Sequence, residues 1–181
     1  MERLKEVHIY TDGACLGNPG PGGYAAVLRY GARQKELSGG YRLTTNNRME
    51  VVAAIVALES LKERCSVKLH TDSKYLADSI NRGWAKSWRL KNWAKGTTKR
   101  INADLWQRML ELCGHHEVSF VWIRGHNGDP LNARCDALSM QAAQREELPA
   151  DVTFEELFQT TKSRADARAN TELTEILGST R

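Results

Sequence analysis

"EVHIYTDGACLGNPGPGGYAAVLRYGARQKELSGGY", residues 6–41, decides the fold class. Val7, Ile9 and Thr11 alternate with His8, Tyr10 and Asp12, the period of a strand with one buried face. A Gly/Pro-rich turn follows, then "GYAAVLRY", a turn at Gly31, and "RQKELSGGY". Connections this short join antiparallel neighbours, so the stretch predicts a three-stranded meander. Asp12 falls where the first strand should end.

Downstream the period changes. "TTNNRMEVVAAIVALESLKERC" is helical, with Met49, Val52, Ala53, Val56 and Leu61 near one stripe and Asn47 and Glu50 at capping-box spacing. A strand over 67–71, a helix from about Ser73, a basic segment, a helix over 104–113, a strand over 118–123 and a helix over 132–144 complete the pattern. Alternating strand and helix makes the later strands parallel, so the chain is an α/β protein with a mixed sheet and packed helices.

Residues 1–146 read as one domain and 147–181 as an appendage of low independent stability, made of short amphipathic helices or partly disordered. Its two apolar pieces, Phe154/Leu157/Phe158 and Leu173/Ile176/Leu177, flank a polar basic linker, and Thr153 to Glu156 has capping-box spacing. The first apolar face is expected to dock on the same chain, with a protein partner as the sharper alternative.

With 41% hydrophobic and 27% charged residues, the chain can bury a core without disulfides or metal staples. It has no stretch of about 18 apolar residues and no signal-like apolar run after Met1, which points to a cytoplasmic protein, read as a monomer with no membrane partner. Cys15, Cys65, Cys113 and Cys135 lack CxxC spacing, so they are expected as reduced thiols. The net charge is +4, but residues 81–103 carry +7 without an acid, leaving −3 for the rest. One basic patch on a mildly acidic body suits a polyanionic partner.

Taken singly, each acid has an ordinary explanation. Asp12 precedes a turn, Asp72 in "LHTDSKYL" precedes a helix, Glu50 is near a helix start, and Asp136 in "NARCDALS" lies on a helix surface. Asp12 and Asp72 nevertheless end two strands in the same way, each after a Thr, and parallel neighbours bring such residues to one sheet edge. Crowded carboxylates repel unless a cation neutralises them, and hard oxygen ligands without His/Cys spacing favour magnesium or manganese.

"YTDGACLGNPGPGGY", "TTNNRMEVVAAIVALESL", "LHTDSKYL" and "WIRGHNGDPLNARCDALS" closely resemble, in order and separation, four sequence blocks of bacterial type 1 ribonuclease H, over residues 5–145. The resemblance implies a five-stranded mixed sheet, three antiparallel strands then two parallel ones, flanked by helices. It implies an endonuclease that hydrolyses the RNA strand of RNA–DNA hybrids with two Mg2+ ions, or Mn2+ in their place, leaving 5′-phosphate and 3′-hydroxyl ends. Asp12, Glu50, Asp72 and Asp136 would be the catalytic metal ligands, Asp12 bridging both ions, and His126 an auxiliary group that moves protons or aids product release.

"NRGWAKSWRLKNWAKGTTKR" interleaves Trp84, Trp88 and Trp93 with basic residues and resembles the family's basic protrusion, which grips the DNA strand. Lys86, Lys91, Lys95 and Lys99 would neutralise phosphates while Trp84 and Trp88 pack on deoxyribose. Cys15, Asn18, Asn46 and Asn47 match positions that contact the hybrid's minor groove and 2′-hydroxyls, and Thr45 matches part of a DNA-phosphate pocket. Leu43 stands where the family pattern has Arg, with Arg42 one residue earlier, and Lys74 where Gln is common. His115 and His116 match nothing catalytic and are expected at the surface. A nucleic-acid-binding module without chemistry and a nuclease for DNA junctions or transposon ends are the competing readings.

Overall fold

The computed structural model describes residues 4–96, 98–99, 101–125 and 128–177. β1 (Lys5–Cys15), β2 (Gly20–Tyr30) and β3 (Arg33–Thr44) form the meander, followed by α1 (Asn46–Glu59), β4 (Cys65–Thr71) and α2 (Lys74–Asn81). α3 (Trp84–Leu90), the two-residue strands β5 (Ala94–Lys95) and β6 (Thr98–Lys99), α4 (Ala103–His115), β7 (Glu117–Trp122), α5 (Pro130–Ala143) and α6 (Val152–Leu177) complete the order. The five long strands make one sheet in the order β3-β2-β1-β4-β7, antiparallel from β3 to β1 and parallel from β1 to β7. This is the mixed sheet that the sequence implies.

Strand alternation divides the core in two. Val7 and Ile9 of β1 and Val67 and Leu69 of β4 face α1, which packs with Trp106, Met109 and Leu110 of α4. Tyr10 and Val27 point to the opposite face, where α5 covers them with Cys135 and Leu138. The amphipathic stripe expected for α1 is too narrow. The helix runs between the sheet, α2 and α4, so ten of its residues, from Arg48 to Leu58, are buried around almost its whole circumference.

Helix starts differ from the expected caps where a neighbouring residue takes the N-cap position and its side chain reaches the free N–H groups. Thr45, not Asn47, caps α1, its Oγ1 accepting from the Arg48 N–H, which leaves Glu50 free to turn inward. Ser73, not Asp72, caps α2, its Oγ accepting from the Leu76 N–H. Asp151, not Thr153, opens α6, its carbonyl accepting from the Glu155 N–H at 2.8 Å.

The C-terminal segment is one 26-residue helix rather than two short pieces separated by a linker. The supposed linker, "KSRADARAN", holds good helix formers and neither Gly nor Pro, so nothing in it ends a helix. Its first turn docks on the domain as expected: Phe154 is buried beside Arg48, and Glu155 takes two hydrogen bonds from Arg42, at 2.9 and 2.8 Å. His116 is buried rather than at the surface, because its Nδ1 accepts from the Cys65 N–H at 3.2 Å where α4 meets β4. Among the described residues, no helix is long and apolar enough to cross a membrane.

Candidate metal and nucleic-acid site

The parallel register of β1 and β4 pairs Thr11 with Thr71, so Asp12 and Asp72, one residue further along each chain, emerge side by side. Glu50 reaches them from α1, whose start lies against β1 at Gly13. A Cβ on Gly13 would sit 2.4 Å from the Glu50 backbone nitrogen, so only glycine permits this approach. Asp12, Glu50 and Asp72 each present an oxygen, all within 4.8 Å of one another. Asp136, on α5, is exposed and lines the same cavity of about 370 Å³.

Among the described residues no Lys or Arg lines this cavity, and the electrostatics register the crowding. Burial, then the neighbouring Asp72, pushes the Asp12 carboxyl up to about 7, with Asp136 adding to the effect and hydrogen bonds from Gly13 and Ser139 opposing it. Burial, then Asp12 and Asp72, raises Glu50 well above the usual carboxylate range. Glu50 Oε2 is buried without a hydrogen-bond partner. An orphaned carboxylate oxygen facing two other acids fits a divalent cation bound by oxygen ligands.

The other expected residues fall into several groups. Cys15 and Asn46 line the carboxylate cavity. Asn18, in the glycine-rich turn, accepts the Asn46 N–H through Oδ1 at 3.2 Å, tying that turn to the start of α1, and Asn47 is exposed beside them. The Thr45 hydroxyl is engaged as the α1 cap. Arg42 does not stand in for the arginine missing at Leu43, since it is held by Glu155. Lys74 lies over the Trp122 ring at 5.8 Å, and Trp122 Nε1 donates to the Asp72 carbonyl at 3.1 Å. His126 and the side chain of Lys99 lie outside the described residues.

The three tryptophans of the basic segment divide by burial. Trp88 is half-buried with its ring edge-on to Trp106 at 5.8 Å, and Trp93 packs against the same core. Trp84 is 41% exposed, with the Arg82 guanidinium 5.4 Å above its ring. Lys86, Lys91 and Lys95 are exposed around them. Part of the aromatic pattern is therefore packing, and Trp84 is the ring left open on the surface.

Sequence reasoning missed Asn132, Ser139 and Asp129. Asn132 and Asp129 line the carboxylate cavity, Asn132 Oδ1 is buried without a partner, and the Ser139 hydroxyl lies 3.2 Å from Asp12 Oδ2. Their signal is helical spacing: 132 and 139 stand four before and three after Asp136, on one face of α5. Of the thiols near the site, Cys135 is buried and pushed up to about 12 chiefly by burial, and Cys15 is half-buried and likewise raised by burial.

The family model for RNase H matches residues 4–144. The chain belongs to the ribonuclease H family. The ribonuclease H of Syntrophus aciditrophicus is 60% identical over 148 residues, covering 81% of this chain and 86% of that one. The ribonuclease H of Desulforamulus reducens is 55% identical over 150 residues, covering 82% and 94%. Among solved structures, LC9-RNase H1, a type 1 RNase H with the type 2 active-site motif, is 29% identical with a TM-score of 0.71 over 79% of this chain and 74% of that one. This ribonuclease H fold accounts for the sheet order and for the gathering of carboxylates at its edge.

Proposed function

We propose that the chain is an endoribonuclease that hydrolyses the RNA strand of RNA–DNA hybrids, with Asp12, Glu50, Asp72 and Asp136 as its metal ligands. The observation that carries this reading is the cluster of three carboxylates within 4.8 Å, buried in part and, among the described residues, uncompensated by a Lys or Arg in its cavity. Family membership gives the substrate class, and the acid-free basic segment gives a surface for it. Residues 1–146 carry the activity; 147–181 form an appendage whose first turn is fastened to the domain.

Two divalent cations, Mg2+ or Mn2+, would supply Lewis acidity at the attacking water and the leaving 3′-oxygen. The chain's own residues do the rest. Asp12, beside both Glu50 and Asp72, would help to hold both ions. Glu50 and Asp72 flank it, and Asp136 stands on the exposed side. Cys15, Asn18, Asn46 and Asn47 line the approach, where amides can donate to and accept from 2′-hydroxyls. Thr45 contributes to a phosphate contact that, with Leu43 in the place of an arginine, is weaker or built differently. Lys86, Lys91, Lys95 and Lys99 hold phosphates of the DNA strand, with the exposed Trp84 against its sugars and Trp88 packed behind it. His126 moves a proton or helps product leave. Water adds to phosphorus, the P–O3′ bond breaks, and the ends are 5′-phosphate and 3′-hydroxyl.

The test is a panel of labelled hybrid, double-stranded RNA, double-stranded DNA and junction substrates with Mg2+. Cleavage confined to the RNA strand of the hybrid supports the proposal. Binding without cleavage would make the chain a recognition module, and preference for junctions would move it to the other nuclease reading.

A further inference from the structure

Two polar contacts join α5 to β1. The Cys135 thiol lies 3.3 Å from the Tyr10 carbonyl, and the Ser139 hydroxyl lies 3.2 Å from Asp12 Oδ2. Two residues of a strand span about 6.6 Å. Four residues of a helix span about 6 Å. The spacing of Tyr10 and Asp12 therefore matches that of Cys135 and Ser139, and the two rungs fix the register of the helix along the strand. Asp136 lies between them on α5.

The approach at this point is close. A Cβ on Gly23 of β2 would sit 2.1 Å from the Ser139 carbonyl, so only glycine lets the helix settle here. Ser139 is fully buried. Its Oγ is also 2.9 Å from the Asp136 carbonyl, and a hydroxyl has one hydrogen to give. The ionised carboxylate is the stronger acceptor, so the hydroxyl serves Asp12 whenever Asp12 is charged.

We propose that Ser139 is a positioning residue that sets the affinity of the site for divalent cations, by fixing the Asp12 carboxylate and holding the register of Asp136 against it. The proposal rests on the metal-dependent reading given above. A carboxylate held in place before the ion arrives loses no rotational freedom on binding, whereas a free one must be ordered by the ion. Ser139 touches neither substrate nor the reacting phosphate.

The test is calorimetric titration of the free protein with Mn2+, without substrate, for wild type, Ser139→Ala and Ser139→Cys. Alanine is a strong helix former and smaller than serine, so the fold tolerates it. The Mn2+ dissociation constant is expected to rise roughly 10-fold in Ser139→Ala. Ser139→Cys, a weaker donor of similar size, is expected to fall between. The manganese needed for half-maximal rate should rise by the same factor while the KM for hybrid stays fixed. A residue that merely stabilises the fold would move the metal-free Tm and leave Mn2+ affinity alone. Equal affinity in all three proteins overturns the Ser139 proposal and leaves the nuclease reading standing; failure of the wild type to take up Mn2+ overturns both.

Discussion

Arg48 and Glu50 are separated by one residue in the opening turns of α1, both are buried, and they differ in what surrounds them. All five N–H donors of Arg48 are occupied: Nε and Nη2 by Asp151 at 2.7 and 2.9 Å, Nη1 and Nη2 by Asp104 at 3.0 and 2.8 Å, and Nη1 also by Asn102 at 3.3 Å. Burial works against that charge, but the hydrogen bonds it donates to Asp104 and Asp151 more than offset it, and its pKa is raised. Glu50 faces Asp12 and Asp72 instead, with Oε2 unsatisfied. One cluster is neutralised within the chain and is architecture. The other has no positive partner among the described residues, and a bound cation would restore its balance. The contrast separates a structural ion pair from a ligand site more sharply than burial or charge alone.

The largest expected effect comes from breaking the uncompensated side. Asp12→Asn should lower turnover at least about 100-fold. Hybrid binding in Ca2+ should persist, as a filter-binding or anisotropy titration will report; a variant with wild-type rates ends the assignment. The same substitution should alter the stability of the metal-free protein with pH. Asp12 titrates at about 7 in the fold against 3.8 unfolded, so between those values the folded state holds the extra proton. Stability is therefore greatest below about pH 4 for this group and is lost as pH rises through 7. Thermal melts in a chelator should show the decline in wild type and a shallower one in Asp12→Asn.

Breaking the compensated side should act on stability first. Asp151→Ala strands part of the Arg48 charge in a buried setting and deprives the Thr44 hydroxyl of its acceptor, a bond of 2.9 Å. Loss of one partner of a buried pair costs about 3–5 kcal/mol, which urea unfolding will measure. If stability holds, the tail is not the clasp that these contacts describe.

The basic segment sharpens the comparison from outside the core, because Lys86, Lys91 and Lys95 are exposed and would act on an arriving polyanion. Replacing Lys91, Lys95 and Lys99 with Ala should raise KM and flatten the dependence of log affinity on log salt by roughly 0.7–0.9 per lost phosphate contact. An unchanged slope would return that stretch to ordinary solvated surface. The smallest effect is expected from truncation after Lys162, which removes the distal part of α6 and spares Asp151, Phe154 and Glu155. Unfolding free energy should shift by less than about 1 kcal/mol, since residues 163–168 are exposed and a helix segment that buries little frays at little cost.

Much of the site could be read before the fold was known. Asp12 and Asp72 recur at strand ends, and that local pattern survives in three dimensions because parallel pairing preserves register. Glu50 was harder to read, since an acid near a helix start has a local use; only the Thr45 cap shows that it is not so employed. Arg48 gave no signal at all. Its partner Asp151 lies 103 residues away and Asp104 lies 56 away, and no periodicity links positions joined only by the packing of α1, α4 and the tail. Ser139 was hidden for a similar reason, being one helical turn from Asp136 and 127 residues from the carboxylate it serves.

The order of strands and helices, the place of the acids along the chain and the acid-free basic run follow from the sequence, because period, turn chemistry and charge are local properties. Which buried charges are neutralised, which rings are packing and which surface, and where the start of the tail is clasped to the domain were decided by tertiary structure. Those outcomes depend on distances across the sheet and between helices, and such distances exist only once the chain has folded.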